Sequence, residues 1–302
     1  MKNELFHIGS LTVHGYGLMI AIGVLAAYLS AEYRAKRKNM DYEKIFNLTI
    51  WCAVGGFAGA KLLYYITILD QIIKDPKVLL EASDGLVVYG GIIFGILAGF
   101  LFCKRHKLNF LQYFDLVMPS IALAQGFGRL GCLLAGCCYG VETHSHFSIT
   151  FTDSAYARNG VPLVPTQVIS SGLDFLHFVI LIVLAKRIKA HGVIAGCYLM
   201  FYSAGRFVLE FFRGDLERGS VGSVSTSQFI AIFTFLLGVA IVIIQSKRGI
   251  VAETNMGVTK ELGSMMDEDI EEESEEEFEE KSEKESEEKS DTEGSEENEQ
   301  EV

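Results

Sequence analysis

A guanidinium inside an apolar run is the first place to look for chemistry. Arg129 stands late in the stretch from Gln112 to Leu134, within Gly126-Phe127-Gly128-Arg129-Leu130-Gly131-Cys132-Leu133-Leu134-Ala135-Gly136-Cys137-Cys138-Tyr139-Gly140. A charge at the centre of a hydrocarbon layer costs about 2.5 to 3.5 kcal/mol on insertion scales, so it calls for a partner or a task. Downstream, Arg206 and Glu210 are spaced to share one helical face, and Arg213 follows about a turn later. Together with Lys61, these cations outnumber the carboxylate beside them, which points to an anionic ligand. Guanidinium suits phosphate because its planar donors engage two oxygens at once.

The glycines around Arg129 have a reading of their own: residues without side chains let helix backbones approach closely and let the chain turn sharply. Cys132, Cys137 and Cys138, with His144 and His146 downstream, match no standard zinc spacing, so no metal is expected from the pattern. Cys52, Cys103 and Cys197 lie inside apolar runs, where a thiol behaves as a small hydrophobe. The six do not read as a disulfide framework.

The elements that must position these groups are long and apolar. Half of the 302 residues are hydrophobic, and the mean hydropathy is +0.29. The apolar residues cluster into runs that can cross a hydrocarbon core of roughly 30 Å, which takes about 20 residues of helix. Spans are expected near His14 to Ala31, Phe46 to Ile68, Gly85 to Cys103, Gln112 to Leu134, Val164 to Ala185, Val193 to Phe212 and Gln228 to Gln245. The fold class is therefore an all-α polytopic membrane protein of about seven transmembrane helices. The first run has its basic cluster after it, at Arg34 to Lys38, which marks a retained helix and not a cleaved signal.

Further basic groups follow the third, fifth and seventh spans, at Lys104 to Lys107, Lys186 to Lys189 and Lys247-Arg248. The positive-inside rule makes those loops cytoplasmic, with the N-terminus outside and the C-terminus inside. Residues 1–250 form the expected membrane domain, in which 141–163 make a small extracytoplasmic cap whose alternation from His146 to Thr152 reads as a short strand. Asp70 to Asp84 is expected to hold a short interfacial helix. Residues 251–302 form an acidic tail. From Ala252 onward there are 23 Asp and Glu against 4 Lys, a balance of −19 in a chain whose total is −12, which leaves the rest at +7. So charged a segment buries too little apolar surface to offset ordering and is expected to be disordered.

With that topology the costly polar residues gather on one side of the bilayer. Lys61, Arg129, Arg206, Glu210 and Arg213 fall late on outward-running helices, and Tyr16 and Tyr89 fall early on inward-running ones. The two tyrosines read equally well as interfacial belt residues. Pro165-Thr166-Gln167 reads as a helix start, or as polar groups facing the same cavity.

Taken together, these residues resemble the prolipoprotein diacylglyceryl transferase family over most of residues 5 to 248. The likeness rests on His14-x-Tyr16-Gly17-Leu18, Gly59-Ala60-Lys61-Leu62, Tyr89-Gly90-Gly91, Gly128-Arg129-Leu130-Gly131 through Gly140, Pro165-Thr166-Gln167, and Tyr202-Ser203-Ala204-Gly205-Arg206-Phe207-x-x-Glu210-Phe211-Phe212-Arg213. There are departures. Tyr89 stands where the family has His, Cys132 and Cys137 where it has Asn and Glu, Lys61 where it has Arg, and Val164 where it has His.

The resemblance implies transfer of a diacylglyceryl group from phosphatidylglycerol to the lipobox cysteine of a prolipoprotein. It implies Arg129, Arg206, Tyr89 and Glu210 as catalytic, and Tyr16, Lys61, Gly90, Gly91, Gly140, Gln167, Tyr202 and Arg213 as substrate-binding. The expected partners are phosphatidylglycerol, lipobox peptides and membrane lipids, with no cofactor and no nucleic acid. The expected place is a bacterial cytoplasmic membrane, with the site toward the extracytoplasmic side. The proton acceptor stays open among Tyr89, Glu210 and the departing phosphate. Two other readings compete: a seven-helix transporter, disfavoured by polar groups crowded on one side, and a non-catalytic lipid- or lipoprotein-binding relative.

Overall fold

The computed structural model describes residues 4–8, 11–75, 77–78, 85–214, 220–221 and 224–249. The expected acidic tail at 251–302 and part of the Asp70 to Asp84 loop lie outside the described residues. The chain divides into two units, Met1–Ser246 and Lys247–Val302, and of the second only the end of the last helix is described.

Among the described residues, seven helices are long and apolar enough to cross a membrane: α1 (Gly15–Arg37), α2 (Glu43–Thr67), α4 (Val88–Arg105), α5 (Phe110–Ala135), α6 (Thr166–Arg187), α7 (Val193–Glu210) and α8 (Thr226–Gly249). A short α3 (Leu69–Lys74) follows α2. The protein is a multi-pass membrane protein. Helix α1 runs beyond the expected end at Ala31 and takes in the basic residues Arg34, Lys36 and Arg37 at its last turn, where cations suit the negative end of the helix dipole.

Local chemistry fixes several helix ends. Asn109 caps α5, its side chain accepting from the Gln112 amide at 3.3 Å, and Gly136 ends it in the left-handed conformation with φ 73°. The start of α7 is held from across the bundle: Asp115 of α5 accepts from the amides of Gly192 at 2.6 Å and Ala195 at 2.8 Å. An acidic group at a helix N-terminus satisfies donors that no carbonyl of that helix can reach. On α5, Ser120 takes a hydrogen bond of 2.6 Å from Arg34 of α1.

Packing follows two modes. Helices α2 and α4 meet through glycines: a Cβ on Gly59 would lie 2.7 Å from the Gly90 carbonyl oxygen, and one on Gly55 2.6 Å from the Ala98 Cβ. Helices α7 and α8 cross similarly at Gly196 and Gly238. Small residues substitute close van der Waals contact for a hydrophobic drive that lipid does not supply. By contrast, α5, α6 and α7 meet through side chains, in a cluster containing Met118, Ala122, Leu181, Ile194, Ala195 and Tyr198.

Outside the helices, β1 (Glu4–Ile8) pairs antiparallel with β2 (Leu11–His14), a hairpin not expected from the sequence. Its signal was Gly9-Ser10 between two strand-like runs. In the 141–163 segment, β3 (Ile149–Thr150) pairs with β4 (Pro162–Leu163), and Phe151, Ala157 and Leu163 form a small core against Leu133 and Tyr139. The alternation there does become a strand. A last short pair joins β5 (Ser220–Val221) and β6 (Val224–Ser225).

Candidate active site

A cavity of about 160 Å³ opens between α5, α6 and α7. Arg129 reaches it from the last turns of α5, Tyr202 and Arg206 from α7, and Arg213 from the segment after α7. Helix α6 contributes a polar stripe, Thr166, Gln167, Ser170, Asp174 and His177, at helical spacing. Cys138 also lines it.

The cations are held differently. Arg206 pairs with Glu210 at 2.7 Å and donates to Ser227 at 3.0 Å. The Glu210 contact is an ion pair without hydrogen-bond alignment, so Glu210 Oε2 is buried with no directed donor among the described residues. None of the ion pairs between described residues includes Arg129. Its electrostatic neighbours are Tyr202, Cys132, Asp174 and Cys138. Arg129 therefore faces the cavity with no ion-pair partner among the described residues.

The surrounding shell is ordered by hydrogen bonds. Gln167, almost fully buried, donates to the Cys137 carbonyl at 2.8 Å and leaves its own Oε1 without a donor among the described residues. Thr166 donates to the Cys138 carbonyl at 2.8 Å. Tyr202 stacks flat on Tyr198, with centroids 5.9 Å apart, and Tyr198 donates to Gln125 at 2.8 Å. His177 stacks on Tyr198 at 5.1 Å, its Nε2 buried and without a partner among the described residues. In the loop after α5, hydrogen bonds from the Cys132 and Cys137 thiols push the Cys138 thiol below its ordinary range, helped by the charges of Arg213 and Arg129.

Gly140 shapes the site through packing. A Cβ there would lie 2.4 Å from the Val164 carbonyl oxygen and 2.9 Å from that of Phe212, and its backbone bridges to Arg213. Glycine therefore ties the loop after α5 to the segment that carries Arg213. Tyr16 comes near from α1, its ring against Gly131 and within electrostatic range of Arg129.

The remaining expected residues form a second corner. Lys61 lies beside the rings of Tyr64 and Tyr65 and donates to the Gly85 carbonyl at 3.4 Å. Tyr89 opens α4 and is half exposed. The space beside Gly90 is filled by α2, since a Cβ would meet the Gly59 carbonyl oxygen. Gly91 faces Gly56 and Ala60. None of these four lines the Arg129 cavity.

Asp174, His177 and Ser170 are the cavity residues that the sequence reading missed as site residues. Their signal was the polar spacing that continues from Gln167 along a helix otherwise made of Leu, Val, Ile and Phe.

Beside the cationic cavity lies an apolar groove of about 660 Å³, with Phe147, Ile169, Val208 and Phe212 in its walls. Leu173, Gly205 and Leu209 line both spaces, so the two are contiguous.

A seven-helix membrane protein with half-buried arginines around a cavity joined to an apolar groove has the shape and charge that suit an anionic amphiphile. The comparisons with known proteins narrow this. The profile of the family described as prolipoprotein diacylglyceryl transferase matches residues 3–244, and the chain belongs to that family. It is 43% identical over 239 residues to the phosphatidylglycerol--prolipoprotein diacylglyceryl transferase of Clostridium tetani, covering 79% of this chain and 96% of that one. It is 42% identical over 250 residues to the Clostridium perfringens protein of the same name numbered 2, covering 82% and 97%. A Finegoldia magna relative of that name is 31% identical over 255 residues, covering 84% and 99%.

Proposed function

We propose that this protein transfers the diacylglyceryl group of phosphatidylglycerol to the lipobox cysteine of a prolipoprotein, the first step of bacterial lipoprotein maturation. Family membership supports the reaction, and one observation supports its location: Arg129, Arg206 and Arg213 line a cavity that runs into an apolar groove. The headgroup phosphate would lie among the arginines and acyl chains along the groove.

In this reading Arg129 and Arg206 hold the phosphate and stabilise the charge that grows on it as the glyceryl carbon to oxygen bond breaks, a task for preorganised cations. Phosphate binding draws Arg206 partly away from Glu210. The substrate thiolate attacks the glyceryl carbon, a thioether forms, and glycerol phosphate leaves. A free thiol is only a few per cent ionised at neutral pH, so the cationic surroundings help by favouring thiolate. Gln167 and Tyr202 orient the headgroup, and Lys61, Tyr89 and Tyr16 serve at the approach to the site.

The charge pattern of the loops supports placing the protein in the cytoplasmic membrane with its N-terminus outside, the site toward the extracytoplasmic face and the acidic tail in the cytoplasm. The test is direct. Purified protein is mixed with phosphatidylglycerol vesicles and a lipobox peptide, and the peptide is examined by mass spectrometry. A diacylglyceryl thioether on the cysteine is expected, and none with phosphatidylcholine vesicles. An unmodified peptide in the presence of folded protein would reject the assignment.

A further inference from the structure

One wall of the Arg129 cavity is chemically unlike the other. Helix α5, helix α7 and the segment after α7 contribute the guanidinium donors of Arg129, Arg206 and Arg213. Helix α6 contributes Asp174 and His177 to the same lining, and their exposures are only 8% and 6%. With a rise of about 1.5 Å per residue, the two stand about 4.5 Å apart along α6 and share one face.

A phosphate accounts for the first wall and not for the second. Asp174 is within electrostatic range of Arg129 but forms no ion pair among the described residues. A carboxylate offers acceptors only and repels an anion. Beside a phosphate site it opposes the arginines unless the ligand also brings hydrogen-bond donors. His177 is placed by aromatic contacts: its ring stacks on Tyr198 at 5.1 Å and meets Phe201 edge-on at 5.8 Å. Its Nε2 is buried with no hydrogen-bond partner among the described residues. A buried polar atom left unpaired costs stability. A hydroxyl serves an imidazole nitrogen in either tautomer, because it both donates and accepts.

Charge decides which kind of donor belongs there. Three guanidinium groups stand against two carboxylates, Asp174 in the lining and Glu210 on Arg206. A headgroup with a single negative charge neutralises the set, whereas a zwitterion with its ammonium at Asp174 leaves uncompensated charge in a desolvated place. The fitting ligand is a phosphodiester with neutral hydroxyls beside it.

We infer that Asp174 and His177 bind the two free hydroxyls of the glycerol headgroup, and that this pair, not the arginines, distinguishes phosphatidylglycerol from other singly charged phospholipids. Resting on the transferase reading, the assignment gives each part of the donor lipid a place: phosphate on the arginines, hydroxyls on α6, acyl chains along the groove. The pair makes and breaks no covalent bond. It holds the departing glycerol phosphate so that the glyceryl carbon stays presented to the thiolate.

The experiment uses the full chain in detergent with a lipobox peptide and three donor lipids of the same acyl chains: phosphatidylglycerol, phosphatidylpropanol and phosphatidylethanolamine. Phosphatidylpropanol keeps the charged phosphodiester and lacks both hydroxyls. The wild-type kcat/KM should fall on the order of 10²-fold from phosphatidylglycerol to phosphatidylpropanol, since a site built for a hydroxyl rejects the analogue without it. His177→Phe keeps an aromatic ring against Tyr198 and should shrink that ratio about 10-fold. A merely structural role for His177 would slow both lipids alike and leave the ratio unchanged. Should the variant fail to fold, the wild-type lipid series decides. Equal kcat/KM for phosphatidylglycerol and phosphatidylpropanol overturns the inference, as does phosphatidylethanolamine serving as well as phosphatidylglycerol, and in both cases the thioether formed keeps the transferase reading. If folded protein forms no thioether with any lipid, calorimetric titration with glycerol 3-phosphate and propyl phosphate decides. Tighter binding of glycerol 3-phosphate would reject the transferase reading and keep the hydroxyl site, whereas equal binding, or none, rejects both.

Discussion

Two corners of this molecule carry glycines beside polar residues, and they use them in opposite ways. Between α2 and α4 the glycines are consumed by packing: Gly59 and Gly90 stand backbone to backbone, and the polar residues there, Lys61 and Tyr89, lie at the margin of the helix pair. Among α5, α6 and α7 the contacts are made by side chains, which leave a cavity lined by Arg129, Asp174, His177 and Arg206. A glycine pair next to a functional-looking residue thus marks close helix approach in one place and a shaped loop, at Gly136 and Gly140, in the other. Chemistry goes where side chains leave room for a ligand and where desolvated charge has no other use.

The strongest test of this contrast removes the cations of the cavity. Arg129→Ala and Arg206→Ala are each expected to lower turnover by about 10²–10³-fold, the usual cost of deleting a donor aimed at developing charge, while leaving the protein inserted. Lysine at either position should rescue only partly, because it lacks the two-oxygen fork. Turnover near that of the wild type in Arg129→Ala would remove the cavity from the chemistry and erase the distinction between the corners.

The glycines give the next test, read as stability and not as rate. A Cβ at position 90 would stand 2.3 Å from the Gly59 carbonyl oxygen and 2.7 Å from the Leu63 Cβ, whereas at position 91 the nearest atoms are at 3.3 and 3.6 Å. Gly90→Ala should therefore destabilise by about 1–3 kcal/mol, as overpacking does, and Gly91→Ala by clearly less, measured as thermal unfolding in detergent. If the two glycines instead serve close approach of lipid or peptide, both alanines will raise KM with little change in unfolding temperature.

What the sequence showed and hid follows the same division. The seven spans and the order of the arginines were legible because a membrane helix must be a long apolar run and a charge within one is conspicuous. The resemblance made Gly90 and Gly91 substrate-binding residues. That reading could not anticipate that α2 fills the space, since the partner of a glycine face is a tertiary fact. Asp174 and His177 were hidden for another reason: each is a single polar residue on a very apolar helix, and only the identity of the facing helix shows that they share the Arg129 cavity. Cys132, Cys137 and Cys138 were taken together in the sequence and matched no zinc spacing, and the approach of their sulfurs depends on the left-handed Gly136 and Cys138 after α5.

Asp174 refines the cavity side of the contrast. It is the carboxylate nearest in effect to Arg129, and it lies on the stripe that begins at Gln167. Asp174→Asn keeps the size and removes the charge that positions the guanidinium, so kcat/KM should fall about 10-fold, or roughly 1.4 kcal/mol. Asp174→Glu should recover part of the loss. An unchanged kcat/KM in Asp174→Asn would mean that Arg129 is positioned by the helices alone.

The smallest effect is expected at Tyr89, and it decides whether the α2–α4 corner takes any part in catalysis. Tyr89 is half exposed and lies outside the cavity lining, yet it stands at the same end of the bundle, next to the strap in which the Val87 amide donates to the Ala60 carbonyl at 3.1 Å. A phenol is a weak base at neutral pH but a good donor. As an orienting donor to a phosphate or glyceryl oxygen at the approach to the site, it would contribute one hydrogen bond, worth about 0.5–1.5 kcal/mol. Tyr89→Phe should then slow transfer only a few-fold, with a pH–rate profile of unchanged shape. A tyrosine of the interfacial belt would make the same substitution silent. Elimination of activity together with loss of an ionisation from the profile would make Tyr89 the proton acceptor, and the two corners would then have to be read as one site divided between two helix pairs.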